Sequence, residues 1–390
     1  MTSQILYHFP KEFLWGTATS AHQTEGNNLN DWSVWEPGKT IDGSMSSIAC
    51  GSYHYFKKDI SLAKKLNNNA YRFSIEWSRI EPKQGQFNTK ALRHYQAVIN
   101  ECLKQKIKPV VTLHHFTHPL WFSTIGGWEN QAAPHIFNNY VIYLAQNITG
   151  VEIWCTINEP MIYAWNAYGR GHWPPQKRNL NAWQKVVNNL IQAHSLAYQS
   201  LHLANKKCLV GIANNSQYFE PVNDYWFNKK INKIAKYIIN DYFFQKISGY
   251  QDYLGINYYF YKLIGLGRRS LDNLPHSDLG WPINPYGLYD VLMSAKKYNL
   301  PIYILENGIA DAKDQYRADF IREHLKMVHR AIQNGCDIKG YFYWSLLDNF
   351  EWDKGFTPRF GLYTVDYPSL KRQPRPSSKV YANICKNNGL

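Results

Sequence analysis

Short runs of β-branched and aromatic residues recur along the chain, most of them followed by a longer stretch whose apolar residues return every three or four positions. The runs are Leu14 to Thr17, Ala70 to Ser74, Pro109 to Leu113, Glu152 to Thr156, Leu209 to Ala213, Asp252 to Ile256, Ile302 to Leu305 and Lys339 to Trp344. Their length and their Val, Ile, Tyr and Phe content predict strands. Helical periodicity appears between them, over Thr89 to Lys104, Pro134 to Gln146, Ala182 to Ala204 and Arg317 to Asn334. Eight strands alternating with helices, with no Pro-, Gly- or Ser-rich linker, predict an α/β fold of one domain over residues 1–390. That fold is a closed (β/α)8 TIM barrel rather than an open doubly wound sheet. The stretches Gly16 to Tyr53 and Glu159 to Leu180 are long and rich in Trp, Gly and Pro. They follow strands one and four, so they are expected on the rim where βα loops gather.

Composition narrows the class without choosing a function. At 45% hydrophobic and 18% charged, the 390 residues can bury a core, which excludes a disordered or collagen-like chain. The net charge is +14, from 43 Lys plus Arg against 29 Asp plus Glu. Basic residues such as Lys57-Lys58, Lys64-Lys65, Lys229-Lys230 and Arg268-Arg269 are nevertheless dispersed among acids and asparagines. With no basic arm or tract, they are read as solvated faces and not as a nucleic-acid surface. Met1 to Phe13 holds no unbroken apolar stretch and no run of about 18 apolar residues occurs anywhere, so the expectation is a cytoplasmic protein without membrane insertion. Cys50, Cys102, Cys155, Cys208, Cys336 and Cys385 form no Cys-x-x-Cys pair, which suggests neither a zinc site nor a disulfide framework.

Candidate chemistry lies where the predicted strands end. Strand four runs into Asn158-Glu159-Pro160, strand seven into Glu306-Asn307-Gly308, and Trp344 is followed by Asp348-Asn349-Phe350-Glu351-Trp352. An isolated carboxylate at the end of an apolar strand is costly to bury unless it is used or paired. On spacing alone, a lesser alternative is that Glu159 and Glu306 cap the next helix or pair with a neighbour. With 14 Trp and 29 Tyr available to line a pocket, two carboxylates facing one another there would suit glycoside hydrolysis, one protonating the leaving oxygen and the other attacking the anomeric carbon or activating water. His114, His115 and His118 lack the spacing of a metal-binding motif, and Gly265-x-Gly267 lacks the third glycine of a dinucleotide fingerprint. Neither a metal nor a cofactor is expected.

Longer motifs resolve the choice. Phe13-Leu-Trp-Gly-Thr-Ala-Thr-Ser-Ala-His-Gln-Thr-Glu-Gly26, Tyr71-Arg-Phe-Ser-Ile-Glu-Trp-Ser-Arg79, Thr156-Ile-Asn-Glu-Pro160, Leu254-Gly-Ile-Asn-Tyr-Tyr259, Ile304-Leu-Glu-Asn-Gly308 and Gly340-Tyr-Phe-Tyr-Trp-Ser-Leu-Leu-Asp-Asn-Phe-Glu-Trp352 stand in this order. From Phe13 to about Asp366 the chain resembles the retaining β-glycosidases of glycoside hydrolase family 1. The resemblance implies Glu159 as acid/base and Glu306 as nucleophile. It implies substrate contacts from Gln23, His115, Asn158, Trp344, Glu351 and Trp352, and supporting roles for Arg72, Asn257 and Tyr259. The substrate it implies is a small β-glycoside, most simply a β-D-glucoside with tolerance for galactosides or fucosides.

Departures from the family pattern refine that expectation. Members acting on 6-phosphorylated sugars usually lose the Glu-Trp pair kept here as Glu351-Trp352, so the expected sugar is unphosphorylated. Position 159 is Glu rather than the Gln of myrosinase-like members. His22, Thr117-His118 and Leu305 differ from common family residues and are expected at the periphery of the pocket. The stretches Phe219 to Asp252 and Tyr261 to Ser277 look abbreviated, which would open the aglycone side. A catalytically silent sugar-binding member and a transglycosylase using the same covalent intermediate are the alternatives, and the sequence leaves the oligomeric state open.

Overall fold

The structure, a computed structural model, describes residues 7–390. The first six residues of the Met1 to Phe13 stretch read above therefore lie outside the described residues. Eight parallel strands close on themselves: β1 Leu14–Ala18, β2 Ala70–Ser74, β3 Lys108–His114, β4 Ile153–Asn158, β5 Leu209–Asn215, β6 Leu254–Tyr258, β7 Ile302–Asn307 and β8 Ile338–Trp344. Each is hydrogen-bonded to its neighbours in chain order, and β1 pairs with β8 to seal the barrel, with Leu14 opposite Gly340 and Ala18 opposite Trp344. Eight major helices follow the strands: α1 Ser52–Lys65, α2 Thr89–Lys104, α3 Ala133–Asn147, α4 Leu180–Ala204, α5 Trp226–Lys236, α6 Pro285–Ala295, α7 Arg317–Gln333 and α8 Pro376–Asn387. This is the predicted (β/α)8 architecture.

Alternation along the strands divides the interior into two layers. One set of side chains, including Ala70, Val110, Ile153, Cys155, Tyr253, Leu305 and Phe342, fills the barrel axis. The other set, including Val111, Trp154, Ile212, Ile304 and Tyr341, packs against the apolar faces of the helices. The C-terminal helix locks the closing seam: Tyr381 donates its hydroxyl hydrogen to the Gly16 carbonyl, and Trp15 Nε1 donates to Asn388 Oδ1 at 2.8 Å. Among the described residues no helix is long and apolar enough to cross a membrane.

The strands differ from their predicted limits mainly at the C-terminal ends. β3 runs on to His114, β4 to Asn158, β5 to Asn215, β6 to Tyr258 and β7 to Asn307, each beyond the last apolar residue of its run. Polarity fails to end these strands because a closed ladder pairs backbones whatever the side chains are. Asn257 lies opposite Glu306, and Asn307 lies opposite both Tyr258 and Tyr343. The polar groups are thus held on hydrogen-bonded strand, not on loop. Register shifts fall at Cys155/Asn158, Ile256/Asn257 and Tyr341/Tyr343, where the extra residue re-aims side chains beside the mouth. In the other direction, Gly16 to Ala18 belong to β1, so the first rim segment starts at Thr19.

Candidate active site

A cleft of about 490 Å³ opens at the C-terminal end of the barrel. Its floor and walls include His115, Asn158, Glu159, Tyr259, Glu306, Trp344, Glu351 and Trp352. The structure therefore gathers eight of the eleven residues singled out from the sequence onto one surface. Arg72, Asn257 and Gln23 lie one layer behind it, fully buried.

Glu306, one residue before the end of β7, has a cation on one side and a phenol on the other. Arg72, from β2, donates Nη1–H to Glu306 Oε1 at 2.5 Å, and the Tyr259 hydroxyl donates to Oε2 at 2.9 Å. The guanidinium is itself aimed by Thr112 Oγ1 at 3.1 Å from Nε, and its Nη2 donates to Asn158 Oδ1 at 2.6 Å. Burial raises the Glu306 carboxyl above its ordinary value, and Arg72 and Tyr259 pull it back towards ionisation. Gly308 fixes the approach of the strand end, because a Cβ there would fall 1.8 Å from the Trp344 carbonyl oxygen. The chain just after Glu306 is thereby held against the backbone of Trp344.

Glu159 follows the end of β4 with φ of 44°, a left-handed conformation that costs a non-glycine residue about 1–2 kcal/mol. Pro160 starts the next helical turn, and the Glu159 N–H is tied to the Ala213 carbonyl at 2.7 Å, which holds the bend. The side chain turns into the cleft. Its Oε1 accepts from Asn215 Nδ2 and from Asn257 Nδ2, each at 2.9 Å. With Oε1 engaged as an acceptor twice, Oε2 is the oxygen placed to carry a proton. Burial first, and the charge of Glu306 second, push the Glu159 carboxyl up to about 8.

The sugar-sized floor between these groups is aromatic. Trp344 and Trp352 each stack near-parallel with His115, at ring separations of 6.0 and 5.9 Å, and Phe116 and Trp173 pack beside Trp352. Asn158 Oδ1 faces Arg72, so its amide donates to His115 Nε2 at 3.1 Å, which makes His115 the neutral Nδ1–H tautomer. Its buried Nδ1 has no partner among the described residues. Glu351 takes a hydrogen bond from Gln23 Nε2 at 3.3 Å, and burial with the charges of Asp353, Glu306 and Glu159 pushes it up to about 8. Gln23 is fully buried beside Glu351. Its amide also binds Asn349 Oδ1 and the Phe350 carbonyl while Ser20 donates to its Oε1, so it holds the Glu351 loop from behind the cleft wall.

The peripheral differences resolve into packing. His22 bonds Glu36 at 2.6 Å and stacks on Trp352, Thr117 binds Glu76, His118 bonds Ser123, and Leu305 lies in the barrel core. None of the four lines the cleft, so they sit behind the pocket, not at its edge. His114 accepts from Trp128 Nε1 and does not converge with His115 and His118 on a common point. Asp348 also turns away, held by Arg375 at 2.7 Å and the Gly361 N–H at 2.9 Å.

Two contributors escaped the sequence reading. Asn215, supported by Gln217 Nε2 at 2.9 Å, grips Glu159, and Trp281 forms an outer wall with Phe260. The run Asn214-Asn215-Ser216-Gln217 at the end of an apolar strand was the available signal for the first. Nothing in the sequence distinguishes Trp281 from the other tryptophans.

Comparison with known proteins agrees with this geometry. The description "Glycosyl hydrolase family 1" belongs to the family model that matches residues 6–253 and 226–390. A 1,4-beta-D-glucan glucohydrolase of Thermotoga neapolitana is 34% identical over 439 aligned positions, spanning 98% of this chain and 99% of the relative. A beta-glycosidase from Pyrococcus horikoshii superposes with a TM-score of 0.93 at 38% identity, covering 99% of this chain and 96% of that one. A beta-glucosidase from Thermotoga maritima in complex with glucoimidazole also gives 0.93, at 33% identity over 98% and 100% of the two chains. Barrel, cleft and sequence thus agree over nearly the whole length, and the chain belongs to glycosyl hydrolase family 1.

Proposed function

We propose that residues 1–390 form a single catalytic domain that hydrolyses unphosphorylated β-glycosides with retention of configuration. β-D-glucosides are the main substrates, and galactosides or fucosides are accepted because Glu351 can serve a 4-hydroxyl in either orientation. The observation that carries this reading is two buried carboxyls in one cleft with unlike partners. Glu306, raised by burial, is drawn back towards ionisation by Arg72 and Tyr259, while Glu159 has only two neutral amides and is pushed up to about 8 by burial and the Glu306 charge. Such a pair supplies a nucleophile and an acid at the same pH.

In the first step a Glu306 oxygen attacks the anomeric carbon as Glu159 Oε2 passes its proton to the departing glycosidic oxygen, leaving a glycosyl ester on Glu306. Esterification removes the charge that helped keep Glu159 protonated. Its pKa falls, and it takes a proton from the water that cleaves the ester. Trp344 supports the sugar ring, while Asn158 and His115 offer fixed hydrogen-bonding groups to its hydroxyls. The six buried free cysteines suit a reducing compartment, and we place the enzyme in the cytoplasm.

Activated aryl glycosides test the reading. Turnover confined to unphosphorylated β-glycosides, with net retention seen by NMR and loss in Glu306→Ala, is the expected result. Glu159→Ala should keep the first step for leaving groups that need no proton and lose it for the others. Equal loss on both would remove Glu159 from its role. Binding of β-glucosides without turnover would point to the silent sugar-binding alternative.

A further inference from the structure

The mouth of the cleft carries charge that the sugar site does not use. Beyond Trp352 the lining continues through Trp165, Arg170, Phe260, Lys262 and Trp281. Arg170 follows the helical turn Trp165–Gly169 after β4, and Lys262 sits on the short strand Tyr261–Ile264 after β6. Lys262 Nζ stands 4.8 Å from the centre of the Phe260 ring, and Phe260 packs on Trp281 at 4.5 Å. Neither cation has an acidic partner among the described residues. They are close enough that Arg170, after desolvation, lowers the pKa of Lys262.

The other charges of the cleft do not cancel them. Lys354 pairs with Asp353 at 2.7 Å, and Asp353 also accepts from Trp173 Nε1 at 3.2 Å, so that pair is internally satisfied. Glu159, Glu306 and Glu351 lie among the groups assigned to the sugar. Two like charges gathered at one opening repel each other unless an anion joins them. Beside them the aromatic faces of Phe260 and Trp281 offer a surface for an apolar ring.

We infer that Arg170 and Lys262 select β-glycosides whose apolar aglycone bears an anionic group, a carboxylate, sulfate or phosphate, with its ring against Phe260 and Trp281. The inference rests on the proposed β-glycosidase reading, which puts the sugar at the floor of the cleft and the aglycone at its mouth. It deepens that reading by naming the leaving half of the substrate. The abbreviated segment is compatible with it. The family match breaks into two pieces that share residues 226–253, and the 439 aligned positions exceed the 390 residues of this chain, so longer relatives carry insertions that are missing here.

A matched pair of substrates tests it: 4-(carboxymethyl)phenyl β-glucoside and its neutral N-methylamide, whose phenols differ little in acidity. The expected ratio of kcat/KM is up to about tenfold in favour of the carboxylate at low ionic strength, since Arg170 and Lys262 are exposed and such ion pairs contribute about fivefold or less each. That ratio should fall towards one in 0.5 M salt, fall in Arg170→Gln and in Lys262→Gln, and invert in the double variant Arg170→Glu/Lys262→Glu. A ratio of one or below in the wild type, or a preference that survives the double variant, overturns the inference while leaving glycosidase activity standing. Failure to cleave either compound would instead overturn the glycosidase reading. Dissociation constants of the same pair on Glu306→Gln would then decide the charge preference without turnover.

Discussion

The assignment of acid and nucleophile makes a quantitative demand on Glu159. Its carboxyl is held at about 8 by burial as the larger cause and by the Glu306 charge as the smaller one. Replacing Glu306 by Gln removes that charge and leaves the burial. Two carboxyls spaced for retention, ~5.5 Å apart, interact by roughly 3 kcal/mol at an effective dielectric constant of about 20, or about two pH units. Glu159 in Glu306→Gln is therefore expected to titrate at roughly 6, still above an ordinary glutamate because desolvation persists. Carbon-13 NMR of glutamate-labelled protein, with Glu159→Gln to assign the resonance, measures this directly without turnover. An unchanged value near 8 would show that the two carboxyls are not coupled, so that glycosylation of Glu306 could not convert the acid to a base. A fall to the ordinary range would show that burial is not the main cause. Either result refutes the reasoning.

Further expectations follow from neighbouring contacts. Asn215→Ala removes an amide that favours the ionised form of Glu159, so the alkaline limb of the kcat/KM profile should move up by a few tenths of a pH unit; a downward move would count against the assignment. Gln23→Ala removes the amide whose two N–H groups serve Asn349, the Phe350 carbonyl and Glu351, and should raise KM more than it lowers kcat, with a loss of about 2 kcal/mol in kcat/KM; an effect on kcat alone would contradict its hold on the Glu351 loop. Stability should be highest near pH 6.5, since His94, His114, His115, His118, His194 and His324 have folded pKa values below about 6.5 and favour unfolding in acid. Glu25, Glu159 and Glu351, raised to about 7, 8 and 8, contribute stability that is complete below about 4.5 and lost as pH rises through those values. Glu159→Gln should then stabilise the protein by on the order of 1–3 kcal/mol at pH 8 and much less at pH 5, and a gain independent of pH in thermal melts would show that Glu159 is not the titrating group.

Much of this was legible in the sequence because the barrel repeats one local pattern eight times and the site residues sit where that pattern ends. Apolar runs located every strand of the barrel, though not the four short strands outside it, and the motifs named the residues at the barrel strands' ends. The strand limits were less legible, since a polar residue such as Asn158 or Asn215 reads as loop by composition and becomes strand only when the neighbouring strand pairs with it. Three-dimensional layering was invisible as well. Gln23 and Asn257 are both fully buried beside the carboxylates they hold, and no linear pattern separates such a residue from one on the cleft surface. His114 and His115 show the same limit at adjacent positions: one packs against Trp128, the other faces the cleft.

The layer behind the cleft explains why the barrel must close for this site to exist. Arg72 on β2 binds Glu306 on β7 and Asn158 on β4, crossing the axis. Asn158 Oδ1 also accepts from Asn257 on β6 at 3.3 Å, and the same Asn257 amide donates to Glu159. One guanidinium thus connects the nucleophile to the acid through two amides, in a network that spans four strands. Each element alone would be unstable: an unpaired buried arginine or carboxylate is costly, and removing one partner of such a pair typically costs about 3–5 kcal/mol. Together they satisfy one another only at the spacing that the ladder registers impose. A disturbance at Arg72 should therefore reach Glu159 after β4, through these amides and through the Arg72 charge itself. Arg72→Lys keeps the charge but not the fork that bonds Glu306 and Asn158 simultaneously. It is expected to lower kcat by at least a hundredfold and also to shift the alkaline limb that reports Glu159. Loss of kcat with that limb unmoved would mean that the acid is positioned independently of the network.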